Sequence, residues 1–157
     1  MDYIKKTLEV LGKKWALVTA GTEDDFNMMT IEWGGFGSIW GKQVATVYVR
    51  RSRYTHEFMD KNEYFTVSFY PEEYKKILGR LGSKSGRDID KMKDSGLTPV
   101  RAGESISFKE AEYTLVCRKL YVQTLDEDKI PEELKARFYG REVDPHDMYI
   151  GEVVEIL

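Results

Sequence analysis

Apolar residues along this chain fall mostly at alternate positions or in short unbroken runs, a pattern typical of strands rather than of long helices. Glycine, proline or clusters of polar residues bound these runs. The pattern predicts six strands, over residues 15–20, 27–33, 43–49, 64–70, 111–123 and 149–156. The glycine-rich segment 34–37 is expected to turn the chain between the second and third strands.

Helical patterns are fewer and shorter than the strand patterns. They predict short helices or turns over residues 3–11, 55–61, 71–78 and 131–138. In the second of these, Thr55 is the candidate N-cap and Phe58 is expected to face inward. Segment 83–96 is expected to be a polar loop with at most one helical turn.

The order of these elements bears on the fold class. Many strands separated by turns, with few and short helices, favour a mainly β fold: a β-barrel decorated by helices. A doubly wound sheet is disfavoured because the strands do not alternate with long helices. The length of 157 residues favours one domain with a hydrophobic core, and we assign residues 1–157 to it.

The composition predicts the solubility and the cellular location of the protein. Hydrophobic residues make up 41% of the chain and charged residues 32%, which is typical of a soluble globular protein. No apolar run approaches the roughly 20 residues needed to cross a bilayer, and the N-terminus lacks the long apolar segment of a secretory signal. We therefore predict a cytoplasmic protein that does not associate with membranes.

Charge is unevenly distributed along the chain. The formal net charge is −3, yet residues 50–91 contain ten Lys/Arg and seven Asp/Glu, while residues 126–157 contain four Lys/Arg and ten Asp/Glu. Nucleic-acid binders usually have a basic face and a high pI, whereas the pI here is about 5.5. A local excess of cations in an acidic chain suits a compact anion, and we predict no nucleic-acid partner.

The first candidate site is the basic segment 50–55. Arg50, Ser52, Arg53 and Thr55 offer guanidinium and hydroxyl donors directly after a predicted strand and before a predicted helix. A phosphate monoester is bound well by such donors together with the free N–H groups of a helix N-terminus. The alternative interpretation is a solvated basic turn.

The second candidate site is segment 82–91, which repeats this chemistry. Its two glycines allow the backbone to approach an anion closely. The donors along it are Ser83, Lys84, Ser85, Arg87 and Lys91. The segment is not a P-loop, because it lacks the GxxxxGK[ST] spacing, and the alternative is a flexible surface loop. Together with segment 50–55, it predicts two walls of one phosphate pocket.

The third candidate site is the strand-like segment 27–33. It contains an amide, two thioethers, a hydroxyl and an indole, from Asn27, Met28, Met29, Thr30 and Trp33. A heteroaromatic ring needs an apolar slot with a few placed polar groups at its edge, which these side chains and the strand backbone can supply. The alternative is that they belong to the plain hydrophobic core.

Other chemistry is poorly represented in the sequence. Segment 34–37 lacks the dinucleotide fingerprint, and His56 and His146 lack metal-ligand spacing. The single Cys117 excludes an internal disulfide and is expected to be a buried thiol. We predict no catalytic side chain and no metal site, and we expect a phosphorylated cofactor to supply the chemistry.

Six segments taken in order resemble the flavin reductase-like, FMN-binding split-barrel family, in the branch that includes flavoredoxin. They are residues 27–35, 50–55, 65–69, 82–91, 96–99 and 149–152. The resemblance implies a six-stranded split β-barrel with Greek-key topology, and a homodimer with FMN in a groove at its interface. It also implies an oxidoreductase that takes electrons from NAD(P)H or another donor. These electrons pass through FMN to a small-molecule acceptor or a redox partner protein.

The resemblance also implies roles for individual residues. Residues 27–30 would line the edge of the isoalloxazine ring, and Trp33 would pack near it. The phosphate would be held by Arg50, Ser52, Arg53, Thr55, Ser83, Ser85 and Lys91, and the cofactor would also be bound by Tyr54 and Lys84. This chain departs from the family at His56, where an aromatic residue such as tyrosine is expected, and over 126–147, which match only loosely.

Three other functions are compatible with the same residues. The protein could hold FMN as an electron carrier or sensor without nicotinamide-dependent activity. It could bind haem or another phosphorylated cofactor such as pyridoxal phosphate on the same barrel. It could also be an interaction domain whose basic turns are only solvated.

Overall fold

A computed structural model describes residues 2–140 and 144–157. The strands of this part of the chain are β1 (Ala16–Gly21), β2 (Phe26–Ile31), β3 (Gly34–Ile39), β4 (Lys42–Arg50), β5 (Tyr64–Phe69), β6 (Pro99–Ala102), β7 (Ser105–Phe108), β8 (Tyr113–Thr124) and β9 (His146–Ile156). The helices are α1 (Asp2–Lys14), α2 (Tyr54–Lys61), α3 (Lys75–Ser83), α4 (Lys91–Ser95) and α5 (Glu132–Phe138), with short 3-10 turns at Glu72–Tyr74 and Glu127–Lys129.

The larger sheet contains seven strands in the order β2-β1-β5-β8-β9-β4-β3, and every neighbouring pair is antiparallel. Its two outer strands, β2 and β3, are joined by only Glu32 and Trp33, so the two edges of the sheet come together there. Strands β6 and β7 form a separate two-stranded sheet. The predicted mainly β split barrel with peripheral helices is thus confirmed.

All six predicted strands are present, but the predicted turn at 34–37 is wrong, because Gly34 begins β3 and adds a seventh strand to the main sheet. Close packing explains why a glycine occupies position 34. A Cβ at Gly34 would lie 2.5 Å from the carbonyl oxygen of Thr46 and 2.9 Å from Cδ1 of Leu11. The turn lies further on, at Trp40 and Gly41, which both have positive φ, as a type I′ hairpin turn requires.

The β6–β7 hairpin was not predicted, and its contacts explain why. Its strands have four residues each, and β7 carries buried serines where an apolar pattern would be expected. The Ser107 hydroxyl lies 2.9 Å from that of Ser68 and 2.6 Å from that of Thr114. The hairpin therefore meets the main sheet partly through hydroxyl groups, which a search for apolar alternation does not detect.

Helix α2 begins one residue earlier than predicted, with Arg53 as its N-cap, so Thr55 is not the cap. The Thr55 hydroxyl instead accepts a hydrogen bond of 2.7 Å from the Asn27 amide, and this bond ties α2 to β2. Phe58 faces inward as predicted, with 6% of its surface exposed. The helix predicted from Pro71 forms as a 3-10 turn followed by α3.

Two apolar clusters form the core. The larger one fills the barrel and includes Val18, Phe65 and Tyr149. The smaller one lies between β2, α3 and β7, and includes Met28 and Leu78. These clusters hold α2 and α3 against β2, so the ends of both helices lie beside one strand edge. No helix of the described residues is long and apolar enough to cross a bilayer.

Candidate functional site

The two basic segments meet across a cavity of about 550 Å³. Its wall comes from β2, from the end of β4, from the start of α2 and from the loop between α3 and α4. The lining residues are Asn27, Met29, Arg50, Ser52, Arg53, Tyr54, Thr55, Ser83, Lys84, Ser85, Gly86, Arg87, Asp88, Lys91 and Asp144. We call this space the phosphate cavity, since five cationic side chains and several hydroxyls surround it.

One wall is the start of α2, where β4 ends at Arg50 and the helix begins at Tyr54. The N-cap residue Arg53 makes no side-chain cap hydrogen bond, so no cap side chain accepts from the N–H groups of the first turn. Tyr54 and Thr55, in that turn, line the cavity. Such a helix end favours an anion through its free N–H groups and its dipole.

The opposite wall is the loop between α3 and α4. Its first residues form a turn in which the Ser85 hydroxyl accepts from the Arg87 N–H at 3.1 Å. Gly86 packs closely against β2, since an added Cβ would lie 2.4 Å from Asn27 Oδ1 and 3.0 Å from Tyr54 Cδ1. Only glycine fits this position without displacing Asn27, so the two walls are held at a short, defined separation.

The cations around the cavity also hold its walls together. Arg53 donates to the carbonyl of Gly82 at 2.9 Å, and Arg87 donates to the carbonyl of Ser52 at 3.0 Å. The Lys91 ammonium is buried and donates to the carbonyls of Met28 at 2.6 Å and Leu81 at 3.0 Å. Burial, and then the nearby charge of Arg53, lower the pKa of Lys91 to about 8.

A second cavity of about 270 Å³ adjoins the first one and shares Met29, Arg50 and Arg53 with it. We call it the ring pocket. It is lined by Met29, Thr30, Ile31, Glu32, Trp33, Tyr48, Arg50, Arg53, Phe138 and His146. The backbone on one side belongs to β2, an outer strand of the sheet, which leaves one strand edge available for polar contacts.

Aromatic side chains form the outer wall of the ring pocket. The Trp33 ring packs edge-on against Phe138, with centroids 5.2 Å apart, and lies 5.1 Å from the ring of His146. Phe138 is also anchored through its carbonyl, which accepts from Arg50 at 2.6 Å. Residues distant in the chain thus combine into one aromatic surface.

His146 is neutral in this setting. Burial first, then the charge of Arg50, lower its pKa to about 4, although the carboxylate of Asp144 acts in the opposite direction. The Tyr139 hydroxyl and His146 Nδ1 share a hydrogen bond of 2.7 Å, and burial raises the pKa of Tyr139.

Of the fourteen residues predicted for the site, thirteen line one of these two cavities. Met28 does not fit its predicted place at the ring, because its side chain lies in the smaller core cluster with 1% exposure. Only its backbone carbonyl faces the site, as an acceptor for Lys91. Side chains alternate along a strand, so Met28 and Met29 must point to opposite faces of β2.

The sequence reasoning missed several lining residues. Phe138, Asp144 and His146 come from the polar stretch 126–147, whose irregular pattern carries no signal for a pocket. Tyr48 could have been found, because it shares the face of β4 with Arg50 two residues later.

A separate polar group lies between α2 and β9. His56 Nε2 lies 2.7 Å from Asp147, which also accepts from Thr124 at 2.6 Å, and Tyr149 donates to Asp60 at 2.8 Å. His56, Asp60 and Asp147 have potential metal ligands within 4.8 Å of one another. Since the His56–Asp147 and Tyr149–Asp60 hydrogen bonds each join α2 to β9, we interpret the group as a tie between the helix at the phosphate cavity and the strand that carries His146.

Comparison with solved structures finds the same architecture in other proteins. An FMN-binding protein from Thermus thermophilus superposes with a TM-score of 0.72 at 24% identity, over 91% of this chain and 68% of that one. Flavoredoxin from Methanosarcina acetivorans gives 0.70 at 21% identity, over 92% and 67% of the two chains. Flavoredoxin from Desulfovibrio vulgaris (Miyazaki F) gives 0.70 at 20% identity, over 91% and 68%.

No curated protein matches this chain in sequence. The model of one protein family, described as the flavin reductase like domain, does match it, over residues 10–157. This match covers the nine strands of the described residues and both walls of the phosphate cavity. On this basis the chain belongs to the flavin reductase-like domain family.

Proposed function

We propose that this protein is an FMN-binding flavoprotein oxidoreductase. It takes electrons from NAD(P)H or another donor and passes them to a small-molecule acceptor or a redox partner protein, in the cytoplasm. The observation that carries the proposal is that the two cavities adjoin and share Met29, Arg50 and Arg53 in their linings. A basic, hydroxyl-lined space beside an aromatic one suits a ligand with a phosphate at one end and a flat ring at the other.

The donors present fit the phosphate of FMN. Arg50 and Arg53 offer charged forks, and the uncapped start of α2 offers backbone N–H groups. Ser52, Thr55, Ser83 and Ser85 add hydroxyls, and Lys84 adds a flexible ammonium. Lys91 would act mainly as a brace, since two of its three N–H groups already bind backbone carbonyls.

The ring pocket would hold the isoalloxazine ring, which when bound accepts and releases electrons. Met29 and the outer edge of β2 would contact the ring, with Asn27 and Thr30 nearby as polar groups. Trp33 and Phe138 would exclude water from one side. His146 would present a neutral imidazole to the ring.

A second candidate is an FMN-holding electron carrier or sensor without nicotinamide-dependent activity. The packing of Trp33 against both Phe138 and His146 favours it. These rings cover one side of the ring pocket, and this cover reduces the surface on which a nicotinamide could stack.

The experiment begins with protein purified without added cofactor and then mixed with FMN, with riboflavin as the control that lacks the phosphate. A flavin spectrum that NADH or NADPH bleaches without oxygen supports the oxidoreductase. A flavin spectrum that persists supports the carrier. The spectrum of haem or pyridoxal phosphate, or a colourless protein that does not take up FMN, would overturn the proposal.

We also propose that the protein acts as a homodimer. An apolar groove of about 540 Å³ lies beside α1, and its lining includes Val10, Phe36 and Ile156. Ile156 is 64% exposed, and a second copy of the chain would cover it.

Light scattering tests the dimer. We expect twice the chain mass of 18.3 kDa for the wild type and a shift towards one chain for Ile156→Glu. Leu134→Glu is the matched control, because Leu134 is also exposed but lies on α5, outside this groove. A wild-type protein of one chain mass, or a control that shifts equally, would count against this surface.

A further inference from the structure

An acidic side chain lies in the phosphate cavity on donors that a phosphate would use. The backbone N–H of Ser52 donates to Asp144 Oδ1 at 3.3 Å, and the Ser52 hydroxyl donates to Asp144 Oδ2. Asp144 lines the same cavity as Arg50 and Arg53. Both Ser52 donors therefore already have an anionic acceptor within the protein.

Carboxylate and phosphate oxygens accept the same kinds of hydrogen bond, so they compete for one set of donors. A phosphate monoester carries about −1.5 to −2 charges near pH 7. If it bound Ser52 while Asp144 remained in place, two anions would lie within a few ångströms of each other, which is unfavourable. Either the Asp144 carboxylate or the phosphate must move away before the other can accept both hydrogen bonds from Ser52.

We propose that Asp144 is a specificity-determining residue that competes with the phosphate of the ligand for Ser52. It lowers the affinity for phosphorylated flavin relative to riboflavin, and it leaves Ser52 when the phosphate binds. The inference rests on the proposed function for the identity of the flavin. The competition itself concerns any phosphate monoester or inorganic phosphate.

The chain offers a matched control in Asp88. Its carboxylate lines the same cavity, and no hydrogen bond among the described residues joins its side chain to Ser52. Asp88→Asn and Asp144→Asn remove one negative charge each from this cavity. Only Asp144→Asn weakens the acceptor that holds Ser52. Comparing the two variants therefore separates direct competition for Ser52 from a general change in the electrostatic potential of the cavity.

The affinities for FMN and riboflavin are measured by fluorescence quenching for the wild type, Asp144→Asn, Asp144→Ala and Asp88→Asn. Inorganic phosphate is titrated in parallel through its protection against thermal unfolding. We expect Asp144→Asn to bind FMN about tenfold more tightly, since a hydrogen bond with a charged group is typically worth at least that factor. Asp144→Ala should gain at least as much, because alanine offers no acceptor.

Riboflavin affinity should stay unchanged in all variants, and Asp88→Asn should improve FMN binding by no more than about threefold, since solvent screens an exposed charge. Weaker or unchanged FMN and phosphate binding in both Asp144 variants would overturn the inference and assign Asp144 to holding Ser52 in place. An equal gain in Asp88→Asn would overturn it in favour of general electrostatics. A wild type that binds neither flavin would reject the proposed function instead, and the phosphate titration would still decide the role of Asp144.

Discussion

The two cavities are neighbours, yet they are built in opposite ways. The phosphate cavity takes most of its lining from two short continuous segments, 50–55 and 83–91. The ring pocket takes half of its lining from residues 29–33, and the other half from β4, Arg53, α5 and the start of β9, which are far apart along the chain. Local chemistry therefore determines most of the first cavity, whereas tertiary structure completes the second.

The cavities also differ in how they treat charge. The phosphate cavity sets five cationic side chains against the two carboxylates of Asp88 and Asp144, so positive charge is in excess there. The ring pocket contains a neutral imidazole, since burial and Arg50 lower the pKa of His146. Changes in the phosphate cavity should therefore alter the affinity for FMN but not for riboflavin, whereas changes in the ring pocket should alter both.

The largest effect is expected for Arg53→Ala. The change removes a charged fork from the phosphate cavity and should weaken FMN binding by roughly 1.5–3 kcal/mol, the usual value of a hydrogen bond to a charged group. Fluorescence quenching measures the affinity, and riboflavin should lose less affinity than FMN, because Arg53 also lines the ring pocket. Arg80→Ala is the control, because Arg80 pairs with Asp94 and does not line the cavity.

Equal FMN affinity for Arg53→Ala and the wild type would remove Arg53 from the phosphate site. A parallel loss of riboflavin affinity would show that Arg53 acts on the ring pocket, which it also lines. Thermal unfolding of the variant controls for the hydrogen bond that Arg53 gives to Gly82.

The contrast between the cavities explains which parts of the site could be predicted. Donors close together in sequence, such as Arg50, Ser52 and Arg53, stay close in space whatever the rest of the fold does. The alternation of apolar and polar residues also predicted the strands, because one face of each strand packs into the barrel. These features depend on short-range geometry that a single sequence displays.

The features that were missed depend on long-range packing. His146 enters the ring pocket only because β9 pairs with β4, where it lies opposite Arg50. Gly34 looks like a turn residue, yet its lack of a side chain serves the close approach to Thr46. Met28 and Met29 look alike in sequence, and only the orientation of β2 separates the core residue from the site residue.

The neutral state of His146 predicts an effect of pH on stability. Because the pKa of His146 is lowered from its usual 6.5 to about 4, the unfolded chain binds a proton here more readily than the folded one. This contribution to stability is complete above about pH 6.5 and is lost as the pH falls towards 4. The free energy of unfolding should fall by roughly 2 kcal/mol more between pH 7 and pH 4.5 in the wild type than in His146→Asn.

Urea unfolding at the two pH values measures this difference. The charged and titratable groups that act on His146 are Arg50, Arg53, Asp144 and Tyr139, and all are retained in the variant. Parallel losses of stability in the two proteins would mean that His146 is already open to solvent and protonates freely.

A smaller effect is expected for Phe138→Ala, which tests the ring pocket from its outer wall. The change removes the edge-to-face contact with Trp33, and aromatic pairs of this kind contribute about 0.5–1.5 kcal/mol. Because Phe138 does not line the phosphate cavity, FMN and riboflavin should lose affinity by the same factor.

Leu134→Ala on the same helix is the control, since Leu134 lines neither cavity, and it should leave both affinities unchanged. A loss of affinity confined to FMN would contradict the division between the two cavities. It would mean that α5 acts on the phosphate through Arg50, since the Arg50 guanidinium donates a hydrogen bond to the Phe138 carbonyl.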